Sequence, residues 1–383
     1  MSSLRVLVIS AKFGAGHVRA AEAVIDVIRE KNPHAEIYHE DFGAYLNKVF
    51  NSVLKTAYID MIKYTPKLWG KFYYKTSEIP PDSLFQRFLN GLGRRELLTY
   101  IHTLQPDLIV CTYPTISGVL AQLRKNQLLN IPLATVVTDY AIHNQWVHQG
   151  IDLYLVGSQE VYEGLVKRGI DPNCIKITGI PVSLKFESEL NRKELVDKFG
   201  LNPKHPTILV MGGAYGVLNG ASRICKMIAG SEIPVQLIIV CGKDKRLYNT
   251  IERAVRESKN KVLLFGFVRN VEELMTVSDV VITKAGGLTV SEALTKQLPL
   301  VIYKPIPGQE EENANFLKRI GAGKIATHEE ELGQIMGALI ENLDERETMR
   351  QAASCAIPGR AAEKAADYML ELIDDWNSTQ KAG

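Results

Sequence analysis

The chain has 383 residues, more than one hydrophobic core usually covers, so two domains of ordinary size are expected. Its 45 lysines and arginines against 43 acids leave a formal charge of +2, which argues against a global nucleic-acid binder and makes any basic surface local. The hydrophobic fraction of 46% is that of an ordinary soluble protein, and no run reaches the roughly 18 apolar residues of a spanning helix. Five scattered cysteines, Cys111, Cys174, Cys225, Cys241 and Cys355, form no C-x-x-C pair. They read as core thiols of a reducing compartment, with no zinc site. "MSSLR" passes straight into a strand-like run without a signal-peptide core, so the expected location is the cytoplasm.

In chain order the first run is "RVLVIS", followed by the glycine turn "FGAGH" and the amphipathic stretch "RAAEAVIDVIREKN". Gly14-x-Gly16 provides only two glycines of a dinucleotide fingerprint, because Arg19 stands at the third position. The turn still provides a helix start whose amides and dipole favour an anion or polar ligand. His17 sits at that opening: a general base for an attacking hydroxyl is one reading, and a histidine that caps the helix or bonds a neighbour is the other.

After "AEIYHE" comes a basic, aromatic segment, about residues 43–95, that reads as helical. Lys48, Lys55, Lys63, Lys67, Lys71 and Lys75 bracket a single acid, Asp60, among Tyr45, Phe50, Tyr58, Tyr64, Trp69, Phe72, Tyr73 and Tyr74. Lysine stems and aromatic rings suit a water–lipid boundary, while an inserted helical pair with a solvated face fits the same residues. The runs "DLIVCT", "LATVVT" and "DLYLVG" follow. Thr138, Asp139, His143 and Trp146 lie after the second of these, where an Asp–His pair could handle a proton or orient His17.

The helical, polar stretch 184–206 interrupts the alternation, and "TILVMGG", "VQLIIVCG", "KVLLFG", "VVITKA" and "PLVIYK" then repeat the strand pattern. Short runs buried on both faces, alternating with amphipathic helices, predict a doubly wound parallel α/β architecture. The expected domains are 1–183, a linker 184–206, 207–357, and a final helix 358–383 that packs on either half, with strand ends of both halves facing a cleft. In the second half, "MGGAYG" with Gly212 and Gly213, and "TKAGGLTVSEA" with Gly286 and Gly287, are turns able to hold phosphate on backbone amides. Neither ends in G-K-[ST], which excludes a P-loop phosphotransferase. Glu292 is placed either to accept from a ribose diol or as an ordinary helix charge. Gln309 and Glu310 suit sugar hydroxyls or a helix start equally.

Six stretches, "FGAGH", "TDYAIHNQW", "TGIPV", "GGAYGVL", "KAGGLTVSEA" and "KPIPGQEEENA", occur in an order that resembles the processive diacylglycerol glucosyltransferases of Gram-positive bacteria. The layout is also similar to plant monogalactosyldiacylglycerol synthases and, more distantly, to the N-acetylglucosaminyltransferase that makes lipid II. The resemblance runs from about Leu4 past Asn315. It implies a GT-B fold, an inverting reaction, a UDP-sugar held by the C-terminal domain and a lipid acceptor met by the N-terminal one. No bound metal or other cofactor is implied. By motif match, Glu292 would bind the ribose, Gly286, Gly287, Leu288 and Thr289 the diphosphate, Gln309 and Glu310 the sugar, and the Phe267 backbone the uracil. Gly212 and Gly213 belong to the same donor side. His17 would activate the acceptor, with Asp139 and His143 as the further catalytic candidates, and Trp146, Lys63, Lys67, Trp69, Lys71 and Tyr73 would meet lipid. Lys12 stands where the plant pattern has an acid, and Phe13 and Ala15 flank the glycines.

The implied activity is glucose transfer from UDP-glucose to diacylglycerol at the inner face of an anionic membrane, giving a β-linked glucolipid that repeated transfer extends. UDP-galactose or another UDP-sugar as donor, and a non-catalytic UDP-sugar sensor, are the alternatives. No nucleic-acid partner is expected, and oligomeric state is open.

Overall fold

The computed structural model describes residues 3–12, 14–45, 61, 64–80, 83, 86, 91, 93–212 and 220–382. Lys48, Lys55, Lys63, Asp60 and Gly213, all singled out in the sequence, lie outside these residues. Two compact units are present: Met1–Leu184 with Pro307–Gln309 and Pro358–Gly383, and Lys185–Ile306 with Glu310–Ile357.

The first unit is built on six parallel strands, β1 (Arg5–Ser10), β2 (Glu36–Asp41), β3 (Leu108–Cys111), β4 (Leu133–Val136), β5 (Leu153–Val156) and β6 (Ile175–Ile177), in the order β2-β1-β3-β4-β5-β6. Side chains alternate between faces along each strand, so the apolar runs bury both. Leu7, Ile9, Ile109 and Cys111 enter one core, while Val6, Val8, Leu108 and Val110 enter the other. Helix α1 (Ala15–Lys31) fills the second core with Ala21, Val24, Ile25 and Ile28. Helices α2 (Pro66–Ser77), α3 (Arg94–Leu104), α4 (Pro114–Lys125) and α5 (Gln159–Val166) complete the unit, the last three packing into the first core.

The second unit includes α6 (Arg192–Lys198) and has its own sheet, β7 (Thr207–Met211), β8 (Gln236–Val240), β9 (Lys261–Phe265), β10 (Val280–Thr283), β11 (Leu300–Tyr303) and β12 (Gly323–Ala326), ordered β12-β11-β10-β7-β8-β9. Its helices are α7 (Ala221–Ala229), α8 (Lys245–Ala254), α9 (Val271–Val277), α10 (Gly287–Thr295), α11 (Gln309–Arg319), α12 (Glu329–Glu341) and α13 (Leu343–Ala356). Both sheets are doubly wound, and strand order reverses between β1 and β3 in one and between β7 and β10 in the other. Such reversals splay the flanking helices to opposite faces and open a crevice at the carboxyl ends of the strands.

The last helix, α14 (Ala361–Ala382), belongs to the first unit. Ala362, Ala365, Ala366, Met369 and Ile373 close the core over α1, Lys31 pairs with Asp367 at 2.5 Å, and Arg124 stacks on Trp376 at 5.2 Å. The cysteines correct one expectation: Cys111, Cys225 and Cys241 are buried, but Cys174 is half-buried and Cys355 is exposed.

Candidate active site

In the first unit the strand order brings the ends of β1, β3 and β4 side by side. Helix α1 starts at Gly14 in extended backbone, with neither a side-chain cap nor an acid in its first turn, so its first amides remain available. His17 projects from that turn. Its Nδ1 lies 2.6 Å from the Thr112 carbonyl after β3 and 2.9 Å from Thr138 Oγ1 after β4, while Thr112 Oγ1 donates back to the His17 carbonyl at 2.9 Å.

A carbonyl only accepts, so the proton is on Nδ1 and the lone pair on Nε2. Among the described residues no protein group is hydrogen-bonded to Nε2. Tyr113 meets the ring edge-on at 5.1 Å and Trp146 lies at 6.5 Å. This desolvation lowers the His17 pKa to about 4, partly offset by the Thr112 bond, so the imidazole is neutral at physiological pH.

The remaining first-half candidates have separate surroundings. Asp139 is buried and accepts a hydrogen bond from the Gln309 side-chain amide, both residues belonging to the first unit. His143 is engaged on both nitrogens: Nδ1 accepts from the Gln145 amide at 3.1 Å, and Nε2 lies 3.2 Å from both the Tyr73 carbonyl and Thr76 Oγ1. Trp146 is 2% exposed and sits in the core, which corrects its expected place at a lipid-facing surface: an indole packed beside His17 touches no bilayer.

Helix α2 places Lys67, Lys71 and Lys75 in an exposed row beside Tyr64, Leu68 and Phe72, which are 69%, 56% and 44% exposed. Between Tyr64 and Ser77 there is no acid. Trp69 and Tyr73 are half-buried on the other side, with ring centroids 6.4 Å apart.

In the second unit β10 ends in a turn that starts α10 at Gly286, again without a side-chain cap or first-turn acid. The first-turn amides of Gly287, Leu288 and Thr289 are therefore available for an anion, and a Cβ on Gly286 would meet nothing within 4 Å. Gly212 is buried at the end of β7, the strand that pairs with β10, and Glu292 is half-buried one turn into α10. Glu310 Oε1 pairs with Lys284 Nζ at 2.9 Å, and its Oε2 accepts from the Ile306 amide at 3.3 Å. Phe267 follows β9 and is 46% exposed, with Lys243 Nζ 5.4 Å from its ring centre.

Three contributors were not named from sequence. Thr112 fixes the His17 tautomer through its main-chain carbonyl, which any residue type supplies, while its hydroxyl donates back to the His17 carbonyl. Fully buried Asn313 donates Nδ2 to the Ala285 carbonyl at 3.0 Å, and Lys284 holds Glu310. An amide inside the acidic start of α11 was the available signal for Asn313.

The profile described as monogalactosyldiacylglycerol (MGDG) synthase matches residues 17–182, and that of the glycosyltransferase family 28 C-terminal domain matches 207–371. A processive diacylglycerol beta-glucosyltransferase of Staphylococcus haemolyticus is 32% identical over 378 residues, 98% of this chain and 95% of the relative. The chain belongs to this glucosyltransferase family. Another member, from Staphylococcus aureus strain Newman, is 33% identical over 336 residues, 88% of this chain and 84% of its own. Among solved structures, Acinetobacter baumannii MurG is similar with a TM-score of 0.67 at 18% identity, covering 96% of this chain and 99% of its own. A glycosyltransferase from Rickettsia africae ESF-5 gives 0.58 at 14%, covering 98% and 99%. These likenesses show the fold, which is GT-B. The family member described here is a glycosyltransferase, and among its described residues no helix is long and apolar enough to cross a membrane.

Proposed function

We propose that this enzyme transfers glucose from UDP-glucose to 1,2-diacylglycerol with inversion, forming β-glucosyldiacylglycerol, and that the product re-enters as acceptor for a second sugar. The observation that carries the reading is the His17 imidazole, whose Nδ1–H is fixed by Thr112 and whose lone pair is on Nε2. The acceptor hydroxyl gives its proton to Nε2 as its oxygen attacks the anomeric carbon. The bond from that carbon to the UDP oxygen breaks on the opposite face, and the electron pair leaves with the diphosphate. Base assistance of this kind is worth about 100- to 10,000-fold.

A base with a pKa of about 4 is weak in the free enzyme. A negative charge brought to it with the substrates raises it, because an opposite charge favours the imidazolium. The diphosphate in turn is held by the first-turn amides of α10, Glu292 accepts from the ribose, Phe267 meets the uracil, and Gln309 and Glu310 meet the sugar. No step in this reading uses a bound metal, so a chelator should leave turnover unchanged. The exposed lysine row of α2 meets an anionic membrane from its cytoplasmic side while Tyr64, Leu68 and Phe72 enter the interface.

The test is incubation of purified protein with anionic vesicles containing diacylglycerol and either UDP-glucose or UDP-galactose, the lipids being resolved by mass and nuclear magnetic resonance. A β-glucosyl product, single or in a ladder, is expected. UDP binding without glycolipid from either donor would overturn the acceptor assignment, and a galactosyl product would overturn the donor.

A further inference from the structure

We propose that the loop His143–Trp146 is a positioning link that sets helix α2 against His17, with His143 as the residue that closes it; this rests on the lipid-acceptor reading above. The loop follows β4 and has two working ends. Trp146 packs its ring 6.5 Å from the His17 imidazole and is buried in the core under it. His143 and Asn144 reach the other way, to the C-terminal part of α2.

Four contacts make that second end. His143 Nε2 lies 3.2 Å from the Tyr73 carbonyl and from Thr76 Oγ1, and its ring stands 4.8 Å from the Tyr73 ring. Asn144 Nδ2 donates to the Ile79 carbonyl just past the helix at 3.1 Å. Arg168, beyond α5, donates Nε to Asn144 Oδ1 at 2.7 Å, so the loop is itself braced from behind. His143 and Thr76 are 6% and 7% exposed, a wholly internal junction beneath a helix that turns Lys67, Lys71 and Lys75 to solvent.

The protonation pattern says what His143 does. Its Nδ1 accepts from the Gln145 amide, so the single proton of the neutral ring is on Nε2 and is given to α2. With the lone pair used and the proton used, the ring has nothing left for the acceptor hydroxyl. Its contribution is geometric: a helix lying on a membrane fixes where the acceptor hydroxyl emerges, and the loop fixes that height relative to His17. An error of about 1 Å in such placement can cost on the order of 100-fold in rate.

The experiment compares His143→Ala, His143→Gln and Thr76→Val, each assayed with diacylglycerol embedded in anionic vesicles and with a dispersed short-chain diacylglycerol. Gln supplies an amide donor towards Tyr73 but accepts no proton at neutral pH, while Val keeps the shape of Thr and removes its hydroxyl. His143→Ala should lower kcat with embedded acceptor by about 30- to 100-fold, and at least ten times more than with the dispersed acceptor, with KM for UDP-glucose within a few-fold. Thr76→Val should shift the same ratio in the same direction. His143→Gln should restore the embedded rate to within a few-fold of the parent and keep its pH profile. Equal losses on both acceptors, or a Gln variant as poor as Ala, would overturn the inference and return His143 to proton transfer. A parent enzyme that glycosylates neither acceptor would instead refute the function it rests on.

Discussion

The His17 assignment makes a prediction in which base chemistry and folding separate. His17→Ala removes both the Nε2 lone pair and the donor to the Thr112 carbonyl; His17→Asn keeps a short amide donor towards that carbonyl and removes only the base. A carbonyl left without its partner in a desolvated setting costs about 1–3 kcal/mol. At about 2–4 °C per kcal/mol for a unit of this size, the Ala variant should melt several degrees below the parent and the Asn variant close to it. Both should lose the base contribution of about 100- to 10,000-fold in kcat, with UDP affinity within a few-fold of the parent. The assays are turnover on diacylglycerol vesicles, calorimetric titration with UDP, and a thermal melt. A His17→Asn enzyme keeping more than a tenth of parental kcat would refute the reasoning and move the base to another group.

Asn313→Ala should leave the Ala285 carbonyl short of a donor and loosen the turn that starts α10. A loss of about 1–2 kcal/mol in UDP binding, roughly tenfold, is expected by calorimetry. Changing Lys67, Lys71 and Lys75 together to Gln should weaken binding to anionic vesicles about 100-fold, at about 1 kcal/mol per lysine. Sedimentation with neutral vesicles should show little change, and a uniform loss on both would refute the electrostatic part. Acid should destabilise the fold. Burial lowers His17, His143 and His148 each to about 4 from an ordinary 6.5, so between those values the unfolded chain binds more protons. Their stabilisation is complete above pH 6.5 and is lost as pH falls to about 4, up to about 3 kcal/mol each. Urea melts at pH 7.5, 5.5 and 4.5 should show it, and His148→Gln should flatten the slope.

Most of the scaffold was legible because most of its strands are compact apolar runs, and a parallel sheet buried on both faces demands such runs. The two strands that escaped, β6 and β12, explain why. Each is the last strand of its sheet, three or four residues long, and each carries a lysine, Lys176 or Lys324, on an edge that burial does not fully cover. Edge strands need less apolar surface and leave a weaker trace. The site was legible in part for a similar reason. Glycine turns and His17 stand out by residue type, but the Thr112 carbonyl that sets the His17 tautomer is main chain and has no signature. Trp146 read as a lipid contact because its motif gives residue type and order, while burial depends on α4 and the first core meeting it.

The return of α14 to the first unit bears on the order in which the protein is made. A ribosome releases β1 and α1 more than three hundred residues before it releases the helix that covers them. Until then Val24, Ile25 and Ile28 form part of a core that lacks Ala362, Ala365, Met369 and Ile373. The second unit, apart from the Pro307–Gln309 turn, is one continuous stretch and completes its contacts first. The nascent first unit therefore spends most of translation with a greasy, unsealed flank, the kind of surface that chaperones hold. Chains stopped before Ala361 should be recovered bound to such holders, whereas chains carrying the full helix should be released from them.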